Sequence, residues 1–208
     1  MKTNILISLI GCTIFSSFTK APLSAYKVVP VITKHVFCLN GGTRSMLGGK
    51  SRGFVKVDLP PNTVEWYYSV TTSSQKSDPS TTNLTSQLTC LLGPDRGIAS
   101  NVVPSIEVPA GSEPCDVYLM TDSVEAKKFV NKIPARSAIM NDSRQNYLSG
   151  VVQVKDILSG SCFLSIMNPS GMDGIAITVE VSAIVKNTPR RPGPDRRNSY
   201  LHKAIAEY

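Results

Sequence analysis

The sequence predicts a mainly β protein, an antiparallel β-sandwich with two short helical excursions. The first observation is the stretch Ile175–Val185, in which apolar residues occupy every second position and mostly polar residues lie between them. Such an alternation is typical of a strand with one face on a core and the other in water. Phe54–Leu59 and Thr63–Thr71 alternate in the same way on either side of the turn-forming Pro60–Asn62. Because strands outnumber helices and short turns join most of them, we expect antiparallel pairing.

Further segments of strand-like composition complete the predicted sheets. They are Val28–Cys38, Cys115–Met120, Leu148–Ile157 and Ser161–Asn168. The glycine-rich residues that follow the first of these segments predict a loose loop up to about position 50. A polar loop is expected before Leu148.

The apolar spacing changes to that of a helix in two places. Ser77–Pro79 offers a cap with proline at the first helical position, and Gly93-Pro94 provides a stop. The leucines between them follow an i, i+4, i+7 pattern: Leu84, Leu88 and Leu91. A second short helix begins at Asp122–Glu125, which is similar to a capping box. Its narrow apolar face consists of Ala126, Phe129, Val130 and Ile133.

The chain divides into three regions. Residues 1–25 have an early lysine and an apolar run that is shorter than the roughly 20 residues needed to span a bilayer, so they predict a signal peptide. Residues 26–185 form the sandwich domain. Residues 186–208 form a basic, proline- and arginine-rich tail that cannot build a core. We therefore expect a secreted, periplasmic or cell-surface protein without a transmembrane span.

The signal region also allows a different attachment. Leu9-Ile-Gly-Cys12 matches a bacterial lipoprotein processing box, which would make Cys12 the lipidated residue, although few residues precede it. An uncleaved anchor and the absence of export are the remaining alternatives.

The net charge of +7 lies mostly outside the predicted domain. Lys2 and Lys20 belong to the signal region, and residues 186–208 carry six cations against two acids. The domain itself is therefore close to neutral, at about +1, whereas a nucleic-acid-binding fold carries its basic patch on the fold. This distribution argues against nucleic acid as a partner.

Four cysteines remain in the exported part of the chain. An even count in an oxidising compartment permits two disulfides among Cys38, Cys90, Cys115 and Cys162, with the connectivity open. Cys115 and Cys162 have the parity of apolar neighbours in their strands and should point inward. The alternative is that they are buried thiols in place of small hydrophobic residues.

The sequence offers few groups for catalysis or metal binding. Only His35 and His202 could act as a general base near neutral pH, and His202 lies in the tail. His35-x-x-Cys38 has a ligand-like spacing, but no second pair completes a zinc site, so a histidine at a strand edge is favoured. Asn168–Gly174 contains oxygen ligands but a single carboxylate, so a turn is favoured over calcium. We expect no enzyme activity, metal or cofactor.

A binding face is suggested by the aromatic run Trp66-Tyr67-Tyr68. In a strand, Tyr67 points away from Trp66, so one side would fill the core and the other would be exposed. An exposed tyrosine beside Glu65 and Ser69 would suit a glycan- or protein-binding surface. The alternative is a core tryptophan with boundary tyrosines on either side.

Two segments carry a resemblance to known families. Gly160–Asn168, together with Gly174 and the strand to Val185, is similar to the closing hairpin of secreted jelly-roll sandwiches such as bacterial pre-peptidase C-terminal domains and Golgi-dynamics (GOLD) domains. Phe54–Val70 resembles segments of uncharacterised exported proteins of Bacteroidetes-type bacteria. The chain departs from the pattern at Cys162, where an aromatic residue is usual, and in its two helices. The resemblance implies a jelly-roll-like, non-catalytic recognition or accessory module.

These observations favour an exported binding or accessory module that recognises a protein, a glycan or a surface polymer. The first alternative is a structural envelope component or lipoprotein. The second is a hydrolase, which would require a cleft that contains His35. The ligand, the oligomeric state and the role of the tail stay open at this point.

Overall fold

Eight strands form two antiparallel sheets in a computed structural model that describes residues 25–74, 80–92, 102–134 and 139–187. The strands are β1 Tyr26–Leu39, β2 Arg52–Asp58, β3 Thr63–Ser74, β4 Cys115–Met120, β5 Ile139–Tyr147, β6 Ser149–Val154, β7 Ser161–Met167 and β8 Ile175–Lys186. The helices are α1 Gly42–Met46, α2 Leu84–Leu92 and α3 Ser123–Val130, with a 3-10 turn at Val103–Ser105. The predicted mainly β, antiparallel sandwich is confirmed.

The strand order is that of a jelly roll. The first sheet (sheet I) has the order β1-β8-β3-β6, and the second (sheet II) has the order β2-β7-β4-β5. Successive strands alternate between the two sheets, except that β4 and β5 are neighbours in sheet II. Such crossings between two packed sheets are typical of eight-stranded jelly rolls.

The core lies between the two sheets and follows the two-residue period. Trp66, Tyr68 and Val70 project inward from β3, and β8 and β7 contribute aliphatic side chains from both sides. The buried aromatic polar groups have partners, as burial requires. Trp66 Nε1 donates to the Ile157 carbonyl at 2.8 Å, and the Tyr68 hydroxyl donates to the Asp142 carbonyl.

The outer faces of both sheets are also covered, each by a helix. Leu84, Leu88 and Leu92 of α2 are buried against the outer face of sheet I, where they meet Tyr67 and Ile184. The expectation that the outer positions of β8 face water is therefore wrong. Those positions are buried beneath α2: Thr178, Glu180 and Ser182.

Glu180 explains why a polar outer face can be buried here. Its carboxylate accepts hydrogen bonds from the backbone N–H groups of Thr82 and Leu84, the latter at 2.9 Å. A side chain from β8 thus satisfies amides at the N-terminus of α2, which have no partner within the helix. The helix begins at Leu84, later than predicted, and the Gln87 side chain adds a local contact by donating to the Thr82 carbonyl at 2.5 Å. The predicted cap at 77–79 lies outside the described residues.

The second predicted helix is confirmed and covers sheet II. The Asp122 side chain caps α3 by accepting from the Val124 N–H at 2.7 Å. Ala126 and Phe129 are buried against Met120 and Phe163, on the outer face of the sheet. The predicted apolar face extends too far, since Ile133 lies beyond the helix and is half exposed.

The expected loose loop after β1 is instead α1 joined to the β7–β8 turn. The Gly42 N–H donates to the Ser170 carbonyl at 2.9 Å, and the Thr43 N–H donates to the Gly171 carbonyl at 2.8 Å. Gly41 is required at this junction, because a Cβ on it would lie 2.6 Å from the backbone carbonyl carbon of Met172. Two loops are therefore fixed together without any contribution from the core.

Strand β5 was predicted as a polar loop, and this prediction is wrong. Ile139–Tyr147 pairs with β4, but only at Cys115↔Tyr147, Val117↔Arg144 and Leu119↔Ile139, with register shifts between these pairs. Because the shifts interrupt the alternation, the segment has no two-residue period for sequence analysis to detect.

Both ends of the described chain emerge at the same end of the sandwich. Tyr26 pairs with Lys186, and the Asn187 N–H donates to the Ala25 carbonyl at 2.8 Å. At a rise of about 3.3 Å per residue, the junction of α1 with the β7–β8 turn lies about 35–40 Å away, at what we call the loop end. Residues 1–24 and 188–208, and with them Cys12 and nearly all of the basic tail, fall outside the described residues. Among the described helices, none has the length and apolar character needed to cross a membrane.

Replacing Glu180 by alanine should destabilise the protein by about 2–4 kcal/mol, because two buried N–H groups lose their acceptor. Glu180→Gln should cost less, since one carboxamide oxygen can still accept. The exposed Glu107 provides the control, and Glu107→Ala should stay within about 0.5 kcal/mol. Urea unfolding monitored by tryptophan fluorescence measures all three. Equal stability of Glu180→Ala and Glu107→Ala would contradict the capping role.

The loop junction can be tested with a pair of glycine substitutions. Gly41→Ala should destabilise by about 1–3 kcal/mol, because its Cβ would collide with the backbone of Met172. Gly171→Ala is the matched control, since a Cβ there meets nothing within 4 Å and the residue lies in the same junction. Thermal unfolding should separate the two variants, and a similar melting temperature for both would show that the junction is loose.

Candidate binding groove

The structure buries the residues that were predicted to form an exposed binding face. Glu65, Tyr67 and Ser69 do share one face of β3, but their exposed fractions are 3%, 0% and 1%. They lie on the outer face of sheet I beneath α2, which sequence parity alone could not reveal. The prediction of an exposed patch around Tyr67 is therefore wrong.

Within this buried layer, Tyr67 and Glu65 form a closed polar network with Gln153. The Tyr67 hydroxyl donates to Glu65 Oε1 at 2.8 Å, and Gln153 Nε2 lies 2.8 Å from both Glu65 Oε2 and the Tyr67 oxygen. Burial, and next the hydrogen bond to Glu65, raise the pKa of Tyr67 well above its usual range. The phenol therefore stays neutral and acts as a donor inside the fold.

The four described cysteines are all free thiols. Cys115 and Cys162 face the core, as their parity predicted, whereas Cys38 and Cys90 are exposed outside sheet I. Asp116 pairs with Met167 at the end of β7, so Cys115 lies about 20 Å from Cys162 along the sheet, far beyond the reach of a disulfide. The alternative of buried thiols in place of hydrophobic residues fits this geometry.

The two segments that the sequence offered as possible metal ligands, His35-x-x-Cys38 and Asn168–Gly174, have structural roles in a strand and a turn. Regular pairing from His35 to Leu39 places His35 and Cys38 on opposite faces of β1, so they cannot chelate one ion together. The Asn168 side chain closes its own turn by accepting from the Ser170 N–H at 2.9 Å and donating to the Asp173 carbonyl at 2.7 Å. In the part of the chain that the structure describes, no cluster of three metal-ligating side chains occurs.

A groove of about 400 Å³ lies between the C-terminal end of α3 and the outer face of sheet II. We call it the α3 groove. It opens near the loop end, because α3 starts beside the end of β4 and runs back toward the start of β2. Its lining residues are Arg52, Tyr118, Met120, Phe129, Lys132, Ile133 and Pro134.

Three side chains from different elements stack along one side of the groove. The Arg52 guanidinium carbon lies 5.0 Å from the centroid of the Phe129 ring, and Arg52 also donates to the Phe129 carbonyl at 3.1 Å. The Tyr118 ring meets Phe129 edge-on, with centroids 5.4 Å apart. Each aromatic ring is therefore held by a neighbour, and a guanidinium with five N–H donors keeps capacity for a further acceptor.

Lys132 supplies the second cation of the α3 groove. It has a left-handed backbone with φ 61°, and its N–H donates to the Phe129 carbonyl at 3.1 Å, so the chain turns sharply after α3. Its ammonium donates to the Ser45 hydroxyl of α1. The side chain is thereby held at the mouth of the groove, between α3 and α1.

Tyr118 is held neutral with its hydroxyl in a polar pair. The hydroxyl donates to Asp116 Oδ2 at 3.4 Å and accepts from Gln145 Nε2 at 3.2 Å. Burial, and next the Asp116 charge, raise the pKa of Tyr118, which Arg52 partly offsets. The Asp116 carboxylate contacts this tyrosine and would repel an anion. An anionic ligand would therefore bind on the side of the groove where Arg52 and Lys132 lie.

The lining residues suit binding by stacking and by charge. The partly exposed Tyr118 ring can lie against a planar or sugar ring, with the buried Phe129 beneath it, and the two cations suit a carboxylate, sulfate or phosphate on that ligand. Sequence analysis assigned none of these residues to a site, although it placed Phe129 and Ile133 on the apolar face of the second helix. Arg52 stood just before a predicted strand, and only the strand order brings it near Tyr118, which lies two strands away in sheet II.

Comparisons with known proteins add no functional assignment. No family model matches the chain, and no curated protein matches it. Among solved structures, the chain matches part of one described as "IMPa metallopeptidase in complex with T-antigen", with 10% identity and a TM-score of 0.22. The match covers 89% of this chain and 17% of the metallopeptidase chain.

Cysteine reactivity should divide the thiols into two classes. Burial raises the pKa of Cys115 and of Cys162 to about 12, so at pH 8 both remain protonated and inaccessible. We expect iodoacetamide to modify Cys38 and Cys90 in the native protein within minutes and the buried pair only after unfolding. Peptide mass spectrometry reads each site separately. A pair that reacts only after reduction would show a disulfide and contradict the free-thiol arrangement.

Proposed function

We propose that this protein is an exported, non-catalytic binding module that recognises an acidic glycan or surface polymer through the α3 groove. The observation that supports this is the combination of two aromatic rings with two cations on one concave surface. A ring-bearing ligand with carboxylate or sulfate groups would stack on the partly exposed Tyr118, above the buried Phe129, while its anions meet Arg52 and Lys132.

The charges of the groove are available to a ligand. Two ion pairs occur among the described residues, Lys56–Asp58 and Lys128–Glu125. Arg52 and Lys132 belong to neither. Their positive charge is therefore not neutralised by a neighbouring carboxylate within the described part of the chain, and it can steer an anionic partner toward the groove.

The position of the groove fits a protein that is attached by its chain ends. The sequence predicts export at the N-terminus and a basic tail at the C-terminus, and Tyr26 and Lys186 pair at the end of the sandwich opposite the loop end. Attachment of either terminus to an envelope, including lipidation of Cys12, would leave the loop end free. The structural envelope role is thus compatible with binding, as a means of presenting the groove.

A hydrolase is the less favoured alternative, because its one predicted base lies elsewhere. His35 is exposed on β1, in sheet I, whereas the α3 groove lies on the outer face of sheet II. The nearest recorded ring contact of His35 is Phe37, at 5.6 Å between centroids. The groove and the histidine therefore do not share a cleft.

The proposal can be tested by calorimetric titration with oligogalacturonate as the acidic probe and a neutral oligoglucan of equal length as the comparison. We expect saturable binding of the acidic chain alone. Lys132→Gln should weaken it about three- to tenfold, because a groove cation is lost. Lys127→Gln removes the same charge from an exposed position of α3 that does not line the groove, so it should bind like the wild type.

Three results would count against this proposal. Equal weakening by Lys127→Gln and Lys132→Gln would indicate attraction by net charge and not a site. Equal binding of the neutral chain would remove the role of the cations, and failure of any acidic oligosaccharide to bind would remove the ligand class.

A further inference from the structure

Three apolar side chains at the loop end are almost completely exposed. Met46, Leu47 and Met172 have exposed fractions of 87%, 86% and 80%, the three highest values among the large hydrophobic residues of the described chain. We call them the apolar tip. Isolated exposed apolar residues are common on proteins, but three at one end, on two joined loops, form a feature that needs a partner.

The backbone beneath the apolar tip is ordered by its own hydrogen bonds. Thr43 anchors α1 to the β7–β8 turn through both its N–H and its hydroxyl, which donate to the Gly171 carbonyl at 2.8 and 2.9 Å. After α1, the N–H groups of Leu47 and Gly49 both donate to the Arg44 carbonyl. The exposure of these side chains is therefore built into a fixed loop pair, so binding would require little further ordering of the backbone.

The charge around the apolar tip is mainly positive. Arg44 and Lys50 are exposed on the same loop, and no acidic residue occurs from position 40 to position 52. Asp173 is the acidic residue of the neighbouring turn. Neither Arg44 nor Lys50 takes part in the ion pairs of the described residues.

We propose that the apolar tip inserts into an anionic lipid surface. Met46, Leu47 and Met172 would enter the boundary between headgroups and acyl chains, while Arg44 and Lys50 would contact the lipid phosphates. Shape and charge favour a lipid surface over a protein groove. The tip projects from the fold and needs no complementary pocket to enter a soft interface, and its flanking cations match the negative charge of an anionic lipid surface. These residues are distinct from the lining of the α3 groove, so this inference does not depend on the proposed function.

Vesicle sedimentation tests the inference with the full chain or its exported form. We expect binding to vesicles of phosphatidylcholine with 30% phosphatidylglycerol, about tenfold weaker binding to phosphatidylcholine alone, and weaker binding as salt rises. The double variant Met46→Ser, Leu47→Ser should reduce binding to the anionic vesicles at least about tenfold. Val124→Ser is the control, because Val124 is also exposed but lies at the start of α3, away from the loop end.

A second measurement separates insertion from adsorption by charge. In Leu47→Trp, with Trp66 buried and unchanged, anionic vesicles should shift the added emission to shorter wavelength, and inorganic phosphate should not. No binding by the wild type at low salt, or full binding by the double serine variant, would overturn the proposal. Loss of binding in Arg44→Gln, Lys50→Gln with no effect of the serine changes would likewise show adsorption alone.

The apolar tip and the α3 groove can be tested separately. The double serine variant should keep the wild-type affinity for oligogalacturonate, because neither Met46 nor Leu47 lines the α3 groove. Loss of both activities in that variant would indicate unfolding, which circular dichroism detects, and the milder single change Met172→Gln would then decide the lipid proposal.

Discussion

The fold depends on one buried carboxylate in a strand that is covered on both sides. Glu180 lies in β8, which pairs with β1 and β3 and contributes its alternate residues to the core. By accepting from the first amides of α2, Glu180 fixes the helix over sheet I and makes burial of a polar strand face tolerable. The hydroxyls of Thr85 and Ser182, 2.6 Å apart, form a second polar contact between α2 and β8. Packing and polar pairing are therefore coupled along the outer face of β8.

The sequence predicted the sandwich because its inner faces follow a two-residue period, and a core needs only apolar side chains on that period. It could not predict the outer layers. Thr178, Glu180 and Ser182 have the composition of a solvent-facing row, and whether such a row meets water depends on what packs over it. Strand β5 was not predicted for a different physical reason. Its two register shifts break the alternation by which a strand is identified from sequence.

The candidate groove could not be predicted from the sequence, because its lining residues come together only through the order of the strands in sheet II. Arg52 begins β2 and Tyr118 lies in β4, and β7, from much later in the chain, separates them in the sheet. The aromatic residue that sequence analysis selected was Tyr67. Like Tyr118, it lies on the outer face of its sheet, and its hydroxyl donates to an acid two residues earlier in the strand. Their different surroundings follow from where each helix lies: α2 packs over Tyr67, whereas α3 ends at Val130 and leaves a groove beside Tyr118.

The two ends of the sandwich are closed by different elements. One is the loop end, and the other, which we call the terminal end, is where the described chain begins and ends. At the terminal end, the paired β1 and β8 close the fold with backbone hydrogen bonds. At the loop end, the junction of α1 with the β7–β8 turn is also built from backbone groups, with Gly41 allowing the close approach. Backbone groups and polar side chains such as those of Thr43 and Asn168 hold this junction, so the apolar side chains of Met46, Leu47 and Met172 are not needed for it. Exposed methionine, leucine and cations at such a place are then unconstrained by folding, which is why we propose a recognition role for them.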